Sequence, residues 1–298
     1  MVKNITVKNK KRKKIEIFDI INTFFILLIC IITIYPILYV FGRSIMSDVE
    51  RALRPFAIFP KKIDLSAYKY ILGKGSLIYN GYAITLFRTI VGTALSLIVE
   101  AMFAYVISKK KYPLRNALTI MIAFTMWFQG GLIPTFLLVR SLHLMNSIWV
   151  YIFPTLMSAW NILIMRNFFA QIPEGLEESA KIDGANEAVV FFKIVLPLSK
   201  PVLATIGLFH AVTHWNEWFS ALIYVNDNTK WPVQVILRQI LATAMQSEIM
   251  EDNVVATPPP AVSVQMATVV IVTVPILLVY PFIQKYFTKG MLVGSIKG

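Results

Sequence analysis

Six runs of apolar residues, each close to the length a helix needs to cross a bilayer, constrain this chain more than any single residue does. They are Ile20–Phe41, Gly81–Ile107, Leu114–Val139, Ser147–Phe169, Val202–Val225 and Met266–Phe287. About 20 apolar residues span the hydrocarbon core, so the pattern predicts an all-α, polytopic membrane protein with six transmembrane helices. Composition agrees: 57% of residues are hydrophobic and 15% are charged, against about 25% charged in a soluble chain. Pro36, Pro134, Pro154, Pro275 and Pro281 fall inside the runs. Membrane helices tolerate such kinks where neighbours satisfy the freed carbonyls.

The net charge of +13 would suit a nucleic-acid binder, but its placement argues otherwise. Lys3, Lys8, Lys10, Lys11, Arg12, Lys13 and Lys14 precede the first run, Lys109, Lys110, Lys111 and Arg115 crowd the gap between runs two and three, and Lys285, Lys289 and Lys297 close the chain. The gap between runs three and four offers only Arg140. Basic residues in short loops mark the cytoplasmic side, which places both termini in the cytoplasm. The stretch from Arg43 to Lys74 carries basic residues on the opposite side, offset by Asp48, Glu50 and Asp64. The first run is too long for a signal-peptide core and no small-residue cleavage site follows it, so it is expected to stay as a membrane helix. Cys30 is the only cysteine; no intrachain disulfide is possible, and a small buried thiol is expected. The chain therefore divides into one membrane domain over 1–298, with a basic cytoplasmic tail (1–17), a cytoplasmic loop (170–200) and an extracytoplasmic loop (226–265).

The cytoplasmic loop is a polar island from Ile172 to Pro197 in an otherwise apolar chain. Pro173 suits the first position of a helix, and Glu174, Glu177 and Glu178 favour its positive N-terminus. That helix should reach Ile182, with Gly184 available for a left-handed turn. A second helix should run from near Ala185 to about Val195, packing Ala188, Phe191, Phe192 and Val195 on the ends of membrane helices. Leu196-Pro197, followed by Pro201, should stop it. Ser179, Ala180, Gly184 and Ala185 at the bend would let another surface approach closely. An interfacial hairpin without a partner fits these residues as well.

The internal spacing of the island is more specific. Glu178-Ser179-Ala180, three residues, Gly184, nine residues and Ile194-Val195-Leu196-Pro197 resemble the EAA loop of permease subunits in binding-protein-dependent ABC importers. The family pattern there is Glu-Ala-Ala, three residues, Gly, nine residues, Ile-x-Leu-Pro. Ser179 replaces the usual alanine, and Asp183 before the glycine matches the common form. Trp215-Asn216-Glu217, the basic tail and a first helix ending in Tyr35-Pro36 are similar to the carbohydrate, maltose-type branch. The resemblance implies a type I ABC importer permease fold with cytoplasmic coupling helices, in which Glu178, Ser179, Ala180, Asp183, Gly184, Ile194, Leu196 and Pro197 carry the coupling to ATPase subunits. It implies partners as well: a homologous permease subunit, two ATP-binding subunits that hold ATP and magnesium, an extracytoplasmic solute-binding protein, and a sugar or oligosaccharide moved by alternating access. No cofactor is expected in this chain. It has no phosphate-binding loop, because Gly73-Lys74-Gly75-Ser76 lacks the required first glycine, so no catalytic residue is assigned and the energy must come from another chain.

Ionisable residues inside membrane runs cost about 2.5–3.5 kcal/mol each near the centre and call for a functional explanation. Glu100 and Arg88 in the second run, and His210, His214 and Glu217 in the fifth, meet that description. His210, His214 and Glu217 share one helix face, but without a further His or Cys they do not make a metal site; an interior-facing polar seam is expected. Glu100, His214, Trp215, Asn216 and Glu217 are candidates for the substrate pathway, although three consecutive residues cannot all face one cavity, and Trp215 and Trp218 equally suit packing. Met102, Phe103 and Tyr105 read as packing residues. Asp227, Lys230, Trp231, Arg238, Glu248, Glu251 and Asp252 offer a surface for the external binding protein. A permease for a non-sugar solute, such as a peptide, amino acid or phosphate, is the alternative within the class. An ion-coupled secondary transporter would need buried carboxylates or broken repeats at matching positions in two halves, and the sequence shows neither.

Overall fold

The computed structural model describes residues 17–73, 75–249 and 262–278. Helix α1 (Ile17–Ser44) has a mean hydropathy of 2.7 over its apolar window, and none of that window is buried within the chain. A helix apolar on every side must be met by lipid or by another apolar surface. Cys30 is exposed on it, contrary to the expected burial, because α1 packs on the body only near its end. There Gly42 and Ser44 are buried and the Ser44 hydroxyl lies 2.6 Å from that of Tyr68. Two short helices follow, α2 (Asp48–Leu53) and α3 (Ser66–Ile71), in a segment where Glu50 receives the backbone N–H of Lys61 at 2.7 Å. That bond, with Arg54 beside it, holds the Glu50 carboxyl below its ordinary range.

The central post is α4 (Leu77–Ser108), 32 residues capped by the Ser76 hydroxyl, which accepts from the N–H of Ile78. At 1.5 Å per residue it is about 48 Å long. Arg88, Gly92, Ser96, Glu100, Ala104 and Ser108 are all buried and recur every fourth residue, so one stripe of α4 carries small and polar groups only. Small residues let membrane helices pack closely, and this stripe meets the later helices.

The third, fourth and fifth expected spans are interrupted. The third breaks into α5 (Arg115–Trp127) and α6 (Leu132–Ser141), bent by 116°. The break sits at Gly130-Gly131, with Gly131 at φ +84°, rather than at Pro134. As the third residue of α6, Pro134 gives up an N–H that would be unpaired anyway. The fourth comprises two 3₁₀ turns over Ile148–Thr155 and then α7 (Ala159–Phe169), bent by 53°. The polar island over 172–197 contains α8 (Glu174–Ile182) and α9 (Glu187–Leu198).

The fifth span begins with α10 (Lys200–Asn216), at 82° to α9, and stops at Glu217; α11 (Phe219–Tyr224) resumes it. The expected extracytoplasmic loop contains α12 (Val233–Ile249), so it is not an open loop. Its first turn is tied to α4 where the N–H of Val233 donates to the Thr85 hydroxyl at 2.9 Å. Helix α13 (Val262–Leu278) begins the sixth run, whose remainder lies outside the described residues, as do the basic tail and Lys285, Lys289 and Lys297. Among the described residues, α1 and α4 are each long and apolar enough to cross a membrane, and three bent pairs bring the number to at most five.

Candidate functional site

The polar island folds as two helices around a tight bend. Helix α8 starts at Glu174, one residue later than expected, with Pro173 just ahead at φ −58° and ψ 124°. At its far end Gly184 adopts φ +87°. The N–H of Gly184 donates to the Lys181 carbonyl at 3.0 Å and that of Ala185 to the Ala180 carbonyl at 2.9 Å. This paired closure needs a left-handed residue, and glycine takes that conformation without a Cβ penalty. Asn186 then caps α9, its side-chain oxygen accepting from the N–H of Val189 at 2.9 Å; the capping residue moves the start from Ala185 to Glu187.

Pro197 does not stop α9. The helix widens to a π-turn over Phe191–Val195 and runs on to Leu198. Pro197 cannot donate to the carbonyl four residues back, and the wider turn ahead of it accommodates that loss. Its buried face is Val190, Phe191 and Val195; Ala188 and Phe192, expected to pack, are exposed. Of the sequence-predicted coupling residues, Ala180, Ile194 and Leu196 are half-buried, while Glu178, Ser179, Asp183, Gly184 and Pro197 are exposed. Ile182, between them, is 86% exposed. An apolar side chain held in water beside a glycine bend, between Lys181 and Asp183, gives this end of the loop a mixed, uncovered surface.

Sequence reasoning missed what holds the loop in place. Glu177 is buried and ion-paired with Lys109, at the C-terminal end of α4. The Tyr105 hydroxyl lies 3.3 Å from the Glu177 carboxylate and 3.2 Å from that of Glu187, its one proton shared between them, so Tyr105 does more than pack. Lys181 pairs with the other oxygen of Glu187 at 2.5 Å. That hydrogen bond pulls the Glu187 carboxyl below its ordinary range and raises the Lys181 ammonium. Lys110 pairs with Glu174 at 3.0 Å in the open and holds its carboxyl low. A cavity of about 250 Å³ lies among these side chains.

Deeper in the membrane, the stripe on α4 meets α10 and α7. Glu100 is fully buried. One of its oxygens accepts the N–H of Ser158, at the start of α7, at 2.6 Å, and the other lies 2.9 Å from the His210 ring nitrogen. That nitrogen is 3.0 Å from the Asn161 amide, so one carboxylate joins three helices. His214 packs against Gly92 so closely that a Cβ there would overlap its ring. Removing the acceptor of a buried donor costs about 1–3 kcal/mol. Glu100→Ala is therefore expected to lower the stability of the detergent-solubilised protein by that amount, and Glu100→Gln by less, read as the thermal unfolding midpoint.

Above this lies Arg88, fully buried. Its guanidinium donates to the His214 carbonyl at 2.6 Å and the Glu217 carbonyl at 2.5 Å, and to the Glu217 carboxylate at 3.3 Å. A cation at the negative C-terminal end of a helix is favourable, and this one closes α10. Glu217 then turns to cap α11, accepting the N–H of Ser220 at 2.8 Å. The polar residues of the fifth run thus end one helix and start another. Trp215 is buried, its ring 6.4 Å from that of Tyr82, whereas Asn216 is exposed and bonds the Val212 carbonyl at 3.0 Å. The structure brings Glu100 together with His210, and His214 together with Glu217 through Arg88; it leaves Asn216 apart.

In the loop expected to be extracytoplasmic, Asp227 and Lys230 pair at 3.4 Å, and the bond from Thr229 keeps the Asp227 carboxyl low. The Trp231 indole donates to the Val225 carbonyl at 2.9 Å, and Arg238 lies over the Trp218 ring at 3.6 Å. The Glu248 side chain, Glu251 and Asp252 lie outside the described residues.

A family model described as binding-protein-dependent transport system inner membrane component matches residues 113–293, more than half of the 298 residues. The chain belongs to this family. As such an inner membrane component it is 45% identical over 287 residues to the polygalacturonan/rhamnogalacturonan transport system permease protein YtcP of Bacillus subtilis (strain 168), covering 96% of this chain and 100% of that protein. It is 44% identical over 297 residues to protein LplC of the same organism, with 98% of each covered. Its fold matches, with a TM-score of 0.82 and 34% identity, a chain in the crystal structure of a bacterial ABC transporter involved in the import of the acidic polysaccharide alginate, covering 93% of this chain and 98% of that one. This inner membrane component therefore has the type I ABC permease fold, sits in a membrane and works with other components of an ABC import system.

Proposed function

We propose that this permease is one of two homologous membrane subunits of an ATP-driven importer of oligosaccharides. The sugar assignment rests on its relatives, whose names specify galacturonan-type polymers and alginate; acidic oligosaccharides are the first substrates to try. Both termini and the 172–197 loop face the cytoplasm, where the loop seats in two ATP-binding subunits that carry ATP and magnesium. A solute-binding protein docks on the outer face around α12. The chain supplies no ATPase site of its own.

One observation carries the coupling assignment: the glycine bend holds Glu178, Ser179, Ile182, Asp183 and Gly184 outward while Ala180, Val190 and Phe191 anchor the loop on α4 and α7. ATP-driven closure of the partners would push this rigid hairpin and rock α4, α7 and α10 between inward- and outward-facing arrangements.

The test is uptake by proteoliposomes containing the complete complex. ATP- and binding-protein-dependent uptake of labelled oligogalacturonides or alginate oligomers is expected. Uptake of peptides or amino acids with no response to any glycan would overturn the sugar assignment.

A further inference from the structure

We infer that Lys109, Tyr105, Glu177 and Glu187 form a clamp through which movement of the 172–197 loop reaches the membrane helices, with α4 as the transmitting rod. The inference rests on the coupling role proposed above and names the residues that deliver it. Three elements meet at one junction. Lys109, just past the end of α4, pairs with Glu177 of α8 and lies over the Tyr105 ring, 4.0 Å from its centre. The Tyr105 hydroxyl shares its one proton between carboxylates on both helices of the hairpin, and its ring sits 5.1 Å from that of Phe191 in α9, tilted by 46°. The backbone bonds from Gly184 and Ala185 to the end of α8 close the bend, with the Lys181–Glu187 pair beside it, so the hairpin moves as a unit.

Burial decides which contacts can transmit a displacement. Tyr105 is 7% exposed and the Lys109–Glu177 side chains are 31% and 12% exposed, and a pair partly shielded from water is screened less than one in the open. The Lys110–Glu174 pair has side chains 73% and 61% exposed, and such surface pairs add little. The same helix holds α7 and α10 through Glu100 and the end of α10 through Arg88. A shift of α8 therefore reaches the α10–α11 break along a continuous chain of buried and half-buried contacts.

The test uses the complete reconstituted complex and measures substrate transported per ATP hydrolysed, together with retention of the ATPase subunits on purification. Lys109→Glu and Glu177→Lys are each expected to keep those subunits and lower the ratio about tenfold, within the usual range of coupling between sites. The Lys109→Glu/Glu177→Lys swap is expected to bring the ratio back to within about twofold of the wild type, because the pairwise contribution is restored. Tyr105→Phe keeps the ring and loses the bridge, and is expected to fall between. Lys110→Gln serves as the exposed control and should leave the ratio unchanged.

An unchanged ratio in both single variants, failure of the swap to restore it, or loss of the ATPase subunits from a single variant would each overturn the clamp. If neither charge reversal reaches the membrane, Tyr105→Phe decides, and a wild-type ratio overturns the inference. Failure of the underlying coupling role shows separately, as normal stimulated hydrolysis and uptake by a Gly184→Val complex.

Discussion

Replacing Arg88 with alanine is expected to be the most destabilising single change in the membrane part of this permease, by about 3–5 kcal/mol, the usual result of breaking a buried ion pair from one side. The guanidinium is fully buried and supplies hydrogen bonds to two backbone carbonyls and one carboxylate around the α10–α11 break. Its plane also lies 5.3 Å from the centre of the Tyr151 ring. Alanine would leave the Glu217 carboxylate without its counter-ion and the last carbonyls of α10 without a donor, in surroundings where water does not compensate. Lysine keeps the charge but not the fork of fixed donors, and should recover less than half of the loss. Combining Arg88→Met with Glu217→Gln removes both charges and should be milder than Arg88→Ala alone. Thermal unfolding in detergent, with the amount of protein in the membrane, reads all three. An unfolding midpoint for Arg88→Ala equal to that of the wild type would remove the structural role assigned here.

The sequence disclosed continuous features well. Helices α1 and α4 were legible because an uninterrupted apolar run has few other stable forms in lipid. The bend at Gly184 was legible because only a few residue types accept a positive φ. Interruptions were harder to see. Gly130-Gly131 sits in an apolar run where glycine is also ordinary for a membrane helix, so the 116° bend left no local mark. Glu217 looked like a pathway residue because it is charged inside a span; its part in ending α10 depends on Arg88, 129 residues earlier. The clamp was invisible for the same reason: Lys109 and Glu177 are 68 residues apart, and Tyr105 and Glu187 are 82 apart. A basic cluster in a short loop reads as an orientation signal, and nothing local says that one of its lysines is half-buried against a distant glutamate.

Gly184→Val is expected to have the largest effect on transport. The residue sits at φ +87° and a Cβ there would meet nothing within 4 Å, so within this chain the penalty lies in the backbone. Left-handed conformations cost about 1–2 kcal/mol for residues with a side chain, and a β-branched one fares worst. Valine would relax the bend, lose the bonds from Gly184 and Ala185 to the end of α8, and change the angle between the two coupling helices. The membrane helices do not depend on that bend, so insertion should be normal. Asparagine enters the left-handed region more readily. If conformation alone matters, Gly184→Asn should retain much of the activity; if the partner also needs a bare surface at that point, both variants should fail.

The most direct measurement is ATP hydrolysis stimulated by the binding protein in a reconstituted complex carrying Gly184→Val, with membrane levels of this subunit checked in parallel. The coupling account predicts hydrolysis at background and no uptake from a subunit present at wild-type levels. Full stimulation with normal uptake would contradict it.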